Sequence, residues 1–424
     1  MKLIVIGNFM GKKPSMDHLT PSPFASRHPR AFLLLAALAF ISGCKGSDKK
    51  ETPGPTEPTP TETARVALLK ATGVCVEKTA RQFQTASVAL SEAVSRYASQ
   101  PDATNQAQAR AAYHEAMDVW QVAEVMQVGP AAPRSAAGGA ELRDNVYSWP
   151  LVSRCAVEEQ IVSKSYEAES FPTSLVSRRG LYALEYLLFH EDASTACQGT
   201  SPIVAQGTWA ALAADERAAR KRAYAAVVAK DVSQRAAQLV KAWAADQDNF
   251  LQTLETAGSG NRVFPTSQAA LNSVSDAMFY FEREGKDLKL ARPLGLRECS
   301  TESCPEHLES QFAHRSKANL RANLQGFRLL AEGCGEGYSG TGFDDLLAAS
   351  GAEALAQKMR ERLVGVETAL GRIEEADLKD ALAADKASVR ALHDAFKGVT
   401  DVLKTEMVTV LDLELPQSVE GDND

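Results

Sequence analysis

The chain reads as all-α, as two helical-bundle halves with a candidate site at their interface. Three observations predict this. Aromatic residues make up only 7% of the chain, while alanine is abundant. Alternating apolar and polar runs of the strand kind are nearly absent. Long stretches instead repeat apolar residues at helical spacing, as at Val66, Leu69, Val74, Phe83, Val88, Leu90 and Val94.

The first 44 residues do not read as part of that fold. Arg27, His28 and Arg30 precede an apolar run from Ala31 to Ile41. A bilayer span needs roughly 20 apolar residues. This run is shorter and has the length of a secretory signal core. Residues 1–15 add nothing to such a signal, and Met16 offers a second start. Ile41-Ser42-Gly43-Cys44 resembles the bacterial lipobox, with small residues before the cut and a thiol for the lipid. The expectation is lipidation at Cys44 and a membrane held through acyl chains. The alternative is an ordinary signal peptide cut near Gly43. Lys45 stands where an inner-membrane retention Asp would sit, which favours the outer membrane, periplasmic or surface face. Residues 45–63 are rich in Pro, Thr, Glu and Lys and cannot bury a core, so they read as a tether. No other segment is a transmembrane candidate.

The first half spans 64–257. Residues 64–99 and 105–128 are predicted helices, the second ended by Gly129-Pro130. An Ala/Gly/Pro-rich loop follows, and Tyr147-Ser148-Trp149-Pro150 marks another break. A helix is predicted from Pro172-Thr173-Ser174 through Phe189, and long helices over 205–257. Gly258-Ser259-Gly260-Asn261 is the clearest internal break. The second half spans 264–416, with helices predicted over 266–285, 308–332, 351–378 and 384–411. Residues 417–424 read as a disordered acidic tail.

The chain carries 46 Lys and Arg against 54 Asp and Glu, a net charge of −8. The first 44 residues hold five of the basic and one of the acidic residues, which leaves 41 against 53, or −12. Such a body is a poor nucleic-acid binder. Seven cysteines less Cys44 leave six: Cys75, Cys155, Cys197, Cys299, Cys304 and Cys334. An even set in an oxidising compartment suggests disulfides. Cys299 and Cys304 are the best pair, and the other pairings stay open. Zinc at Cys299, Cys304 and His307 is an alternative, but no second cysteine pair of ribbon spacing exists.

Five segments carry a family resemblance: Ala112–Glu124 around Trp120; Trp149-Pro150; Gly180–Phe189; Lys286–Gly295; and Glu309–Ser316 with Asn323–Phe327. In this order, over about residues 64–416, they resemble the imelysin family of exported bacterial proteins. The resemblance implies two helical halves, a periplasmic or surface setting and a link to iron uptake or iron regulation. The family was first filed among metallopeptidases. Its signature Gly-x-His-x-x-Glu is thought to bind metal. Here Gly180 and Glu185 match, but Tyr182 stands in the histidine's place. The metal-binding imidazole is absent, which argues against peptidase activity and against the family's ordinary metal binding.

On a helix Tyr182 and Glu185 share a face, and Arg178 lies on the same side. Two readings stay open. In one, Tyr182 donates its hydroxyl to Glu185 or to backbone, and Glu185 pairs with Arg178. In the other, phenol and carboxylate form a metal or ligand site, which a hard cation such as Fe³⁺ would suit. By the resemblance, Glu124 points toward this site and Ser310 and Arg315 line it. His114 and Asp118 read as a solvated face, His190-Glu191-Asp192 as a polar cap, and His307 and His314 as surface or core residues. No His-Glu-x-x-His or Gly-x-Ser-x-Gly run occurs. The expected function is a binding protein for iron or another metal ion, acting with membrane components of iron uptake. A structural protein with a degenerate site and a metallopeptidase are the alternatives.

Overall fold

Helix α1 (Pro60–Ser99) begins inside the stretch read as tether: residues 60–63 form its first turn rather than unfolded chain. Thr59 Oγ1 accepts from the Glu62 amide at 3.2 Å, and Pro60 takes the first helical position, where an N–H would lack a partner anyway. At about 1.5 Å per residue α1 is about 60 Å long. The computed structural model describes residues 59–416 and 419. Cys44, the signal segment, residues 45–58 and most of the tail lie outside the described residues. Among the described residues the regular structure is helical throughout, and no helix is long and apolar enough to cross a membrane.

Helix α2 (Ala103–Glu124) is capped by Asp102 and lies against α1. Short helices α3 (Leu142–Val146) and α4 (Arg154–Ser163) lead to α5 (Gly180–Phe189). The turns α6 (Pro202–Ala205) and α7 (Thr208–Ala211) precede the long α8 (Ala214–Trp243), which packs along α1, and α9 (Phe250–Glu255). Then come α10 (Ser267–Met278) and a π-helix over Phe281–Ala291. Helices α11 (Ser316–Ala331), α12 (Phe343–Ala349), α13 (Glu353–Arg372), α14 (Leu378–Ala384) and α15 (Lys386–Val402) follow. A second π-helical segment, Leu403–Met407, joins α15 to α16 (Val408–Leu411).

Two predicted helices begin later than the periodicity suggests. Residues 171–173 and 176–178 form 3₁₀ turns, and α5 starts only at Gly180. Arg179 is extended there, and its Nε donates to the Ser174 carbonyl at 3.0 Å. Gly180 has φ +77°, and a Cβ on it would lie 2.6 Å from the Val146 carbonyl oxygen. Arg178 is therefore not on the helix of Tyr182 and Glu185, and the shared face argued for it does not exist. Likewise α11 starts at Ser316 rather than near 308. Ser310 and His314 have positive φ, which breaks the turns before it.

The described residues form one compact unit with two hydrophobic clusters. One gathers Phe83, Leu90 and Val94 of α1, Tyr113 and Trp120 of α2, and the inner faces of α4, α5 and the first part of α8. The other gathers Leu68, Leu69 and Val76 of α1, Leu239 and Trp243 of α8, and helices α10 to α15. Helices α1 and α8 thus run through both cores, and Gly258–Asn261 does not separate them. Three disulfides add cross-links: Cys75–Cys334, Cys155–Cys197 and Cys299–Cys304. The first ties α1 to the loop after α11.

Candidate functional site: a buried polar junction

The signature helix α5 presents Glu185 into the interior, where it is 0% exposed. Its carboxylate meets the segment before α11. Oε1 accepts from the backbone amides of Phe312 at 2.9 Å and Ala313 at 3.0 Å. Oε2 accepts from Ser310 Oγ at 3.2 Å and Tyr113 Oη at 3.4 Å. The irregular backbone of residues 310–314 explains why two successive amides are free to do this: they belong to no helix. Burial raises the Glu185 carboxyl to about 7, against the opposing pull of the two amides and Ser310. Its partners are neutral donors, and Arg178 is not among them. The Tyr182 hydroxyl makes no hydrogen bond to Glu185, and burial holds its phenol well above the ordinary value.

A second charged group lies beside the first. Lys289, on the π-helix, is 2% exposed. Its Nζ donates to Gln121 Oε1 at 2.7 Å and Asn323 Oδ1 at 2.8 Å, and lies 2.9 Å from Glu309 Oε2 and 3.8 Å from Glu124 Oε2. Glu309 Oε1 accepts from Tyr147 Oη at 2.8 Å and Gln121 Nε2 at 3.0 Å. Glu124 Oε1 is gripped by Arg143, through Nη2 at 2.6 Å and Nε at 3.1 Å. Burial raises the Glu124 carboxyl, opposed by Arg143 and Lys289. Burial also raises the phenols of Tyr113 and Tyr147, which sit against Glu185 and Glu309 respectively. Both remain neutral donors.

Ser310 thus reaches Glu185, and Glu124 sits in the adjoining network rather than on Glu185. Arg315 turns elsewhere. Its Nη2 donates to Asp118 and its Nη1 meets His114 Nδ1 at 3.0 Å. His114 and Asp118, read as a solvated face, are therefore the anchor of a buried arginine. Burial lowers the His114 pKa, and the Arg315 charge adds to this. His190 closes α5, with its ring stacked on Tyr186 at 4.8 Å and its Nε2 2.9 Å from Arg154 Nη2. Burial and the Arg154 and Lys221 charges push it down to about 4. Glu191 pairs with Arg110. His307 is half-buried in a 3₁₀ turn, and His314 is exposed in the non-helical segment before α11.

The sequence reading missed Tyr113, Gln121, Arg143, Tyr147, Lys289, Glu309 and Asn323 as site residues. Most lie inside the segments that carry the resemblance. The signal available was a polar residue at an inward position of an otherwise apolar face. Close packing accompanies it: a Cβ on Gly326 would lie 2.5 Å from the Val122 carbonyl oxygen, so α11 can approach α2 only through glycine.

Known proteins share the sequence pattern and the fold of this chain. The imelysin family (peptidase M75) matches residues 76–405. Iron-regulated protein A of Synechococcus elongatus is 25% identical over 333 residues, covering 76% of this chain and 80% of that protein. A putative iron-regulated protein A precursor from Parabacteroides distasonis shares the fold with TM-score 0.64 at 17% identity, over 84% of this chain and 96% of that one. An imelysin-like protein from Psychrobacter arcticum does so with TM-score 0.61 at 16% identity, over 84% and 98%. With the family matched across most of its length and the fold shared with these relatives, the chain belongs to the imelysin family.

Proposed function

We propose that this chain is a lipid-anchored imelysin of the bacterial envelope that binds iron, or another metal ion, as cargo for membrane uptake components, and that it cleaves no peptides. The names of its relatives support the iron reading. The lipobox-like Ile41-Ser42-Gly43-Cys44 and the tether behind it support the anchor, on the outer membrane by the Lys45 criterion. Tyr182 in the histidine position supports a binding role over hydrolysis.

The observation that carries the metal reading is the asymmetric hold on Glu185. Two amides fix Oε1 at 2.9 and 3.0 Å, while Oε2 has only two longer hydroxyl contacts, at 3.2 and 3.4 Å. Oε2 is the oxygen free to turn to a cation. A carboxylate suits a hard ion such as Fe³⁺, and the Tyr113 phenol beside Oε2 would join it only by giving up a proton that burial holds in place. The ion must also deprotonate Glu185, so binding strengthens as pH rises through about 7. Calorimetry of the purified protein with Fe³⁺ as its nitrilotriacetate complex, Fe²⁺ and Zn²⁺ tests this. Micromolar or tighter binding that Glu185→Ala removes is expected. Binding weaker than that, unchanged in the variant, defeats the metal reading. Chelator-sensitive peptide cleavage lost in Glu185→Ala would defeat the non-peptidase reading. Mass analysis of the mature N-terminus tests lipidation of Cys44.

One observation favours a second reading, a structural or interaction protein of the same fold. Four donors already satisfy Glu185, so the carboxylate also works as a latch between α5 and residues 310–313.

A further inference from the structure

We infer that the oxygens around Lys289 form a cation-binding cage for an ammonium-sized monovalent ion, which the chain keeps filled with its own side chain. The inference does not rest on the iron reading, because none of its residues holds Glu185.

The cage is built from four separate elements. Gln121 and Glu124 come from α2, Asn323 from α11, Glu309 from the segment before α11, and Lys289 from the π-helix. Three oxygens lie 2.7, 2.8 and 2.9 Å from Nζ, and the fourth, Glu124 Oε2, lies 3.8 Å away. Every oxygen is aimed by a contact on its far side. Tyr147 and Gln121 hold Glu309 Oε1, which turns Oε2 inward. Arg143 holds Glu124 Oε1, which does the same for its Oε2. Asn323 Nδ2 donates to the Gln121 carbonyl at 2.8 Å and to Gln121 Oε1 at 2.9 Å, so its own Oδ1 faces Nζ. Neither Glu124 Oε2 nor Glu309 Oε2 accepts a hydrogen bond from any group, so the approach of Nζ to each is a charge contact alone. The rings of Tyr280 and Trp149 complete the wall, with centroids 5.4 and 5.8 Å from Nζ. Aromatic faces at such range attract a cation.

Oriented oxygens, outer contacts and aromatic walls are the parts of an ion site, not of a simple surface pair. Charge sets the ion's valence. Arg143 offsets the buried Glu124 and also meets the partly exposed Asp144 at 2.9 Å, and Lys289 offsets Glu309. Removing the ammonium leaves one buried negative charge, which one monovalent cation restores. Spacing sets its size. Calcium needs oxygens at about 2.3–2.6 Å and six to eight of them, whereas this cage is set for the N–H···O lengths of an ammonium. Potassium and ammonium fit that description.

The test is Lys289→Met, purified in choline chloride and titrated with KCl or NH₄Cl at constant ionic strength. Thermal midpoint and tryptophan fluorescence are read, since Trp149 borders the cage. The expected result is a saturable midpoint rise of about 3 °C at a large excess of ion. The wild-type protein should show no such rise, and Lys289→Met combined with Glu309→Gln should lose it. A folded Lys289→Met whose midpoint ignores these ions, or moves equally in the wild type, overturns the inference. So does a response to calcium alone. If Lys289→Met does not fold, Lys289→Ala is refolded with and without propylammonium. Recovery supports the cage, and no recovery overturns it. Glu185→Gln should leave the cation response intact while abolishing iron binding, so the two readings fail separately.

Discussion

Glu185 and Lys289 are neighbouring buried charges held in opposite ways. Glu185 is solvated by dipoles: two amides, a serine hydroxyl and a tyrosine hydroxyl, without a cation in the set. Lys289 is held by oxygens that include a carboxylate at 2.9 Å. A charge held by neutral donors can lose its proton state without leaving an opposite charge stranded. A charge held by a counter-ion cannot. The first arrangement suits a group that must respond to pH or to a ligand. The second suits a joint that must not open.

The largest expected effect lies on the locked side. Glu309→Gln removes the carboxylate nearest Lys289 and leaves a buried ammonium short of its counter-charge. Breaking a buried pair in this way costs about 3–5 kcal/mol. Urea denaturation of wild type and variant measures it. A loss below about 1 kcal/mol would mean that Glu124, 3.8 Å from Nζ, already suffices, and the contrast would weaken.

The responsive side gives a pH signature. The Glu185 carboxyl rises from 4.5 in the unfolded chain to about 7 in the fold. Between these values the folded protein holds a proton that the unfolded chain has released. Stability contributed by this group is fully present below 4.5 and declines as pH rises to about 7. A shift of this size is worth about 3 kcal/mol. Denaturation from pH 4 to 8 should show that decline in the wild type. In Glu185→Gln the component should vanish. A curve identical in both proteins would remove Glu185 from the account.

Both sites were legible in the sequence to different degrees, for physical reasons. The all-α fold follows from period and composition, which act over whole segments and survive local exceptions. Gly180, Glu185 and Ser310 stood in recognisable motifs. Lys289 lies in the resembling segment Lys286–Gly295 but carried no site role, because it is one of six charged residues in Phe281–Ala291 and nothing local marks it as inward. The π-helix decides which of them turn inward. Its i→i+5 turns rotate side chains away from the 3.6-residue pattern, and Glu282, Glu284, Lys286, Asp287 and Lys289 all end up buried. Arg178 failed in the opposite direction: a helical face was assigned to a residue that sits in a 3₁₀ turn before the helix begins. Cys75 and Cys334, 259 residues apart, carry no local signal of their pairing. Contacts set by tertiary packing are absent from any window of sequence.

The smallest expected effect separates the two kinds of hold most finely. Ser310→Ala deletes one of the two hydroxyl donors on Glu185 Oε2, a contact of 3.2 Å. A hydrogen bond of this kind contributes about 1 kcal/mol. Ser310 stabilises the charged carboxylate and pulls the Glu185 pKa down. Its loss should therefore raise that pKa further, and the destabilisation should be larger at pH 8 than at pH 5, where the carboxyl is protonated. Tyr113→Phe, which removes the longer 3.4 Å contact, should show the same pattern with a smaller amplitude in that contact. Equal losses at both pH values would mean that Ser310 acts through packing alone. Glu185 would then be held by the Phe312 and Ala313 amides, and Oε2 would be freer to meet a ligand than its two hydroxyl neighbours suggest.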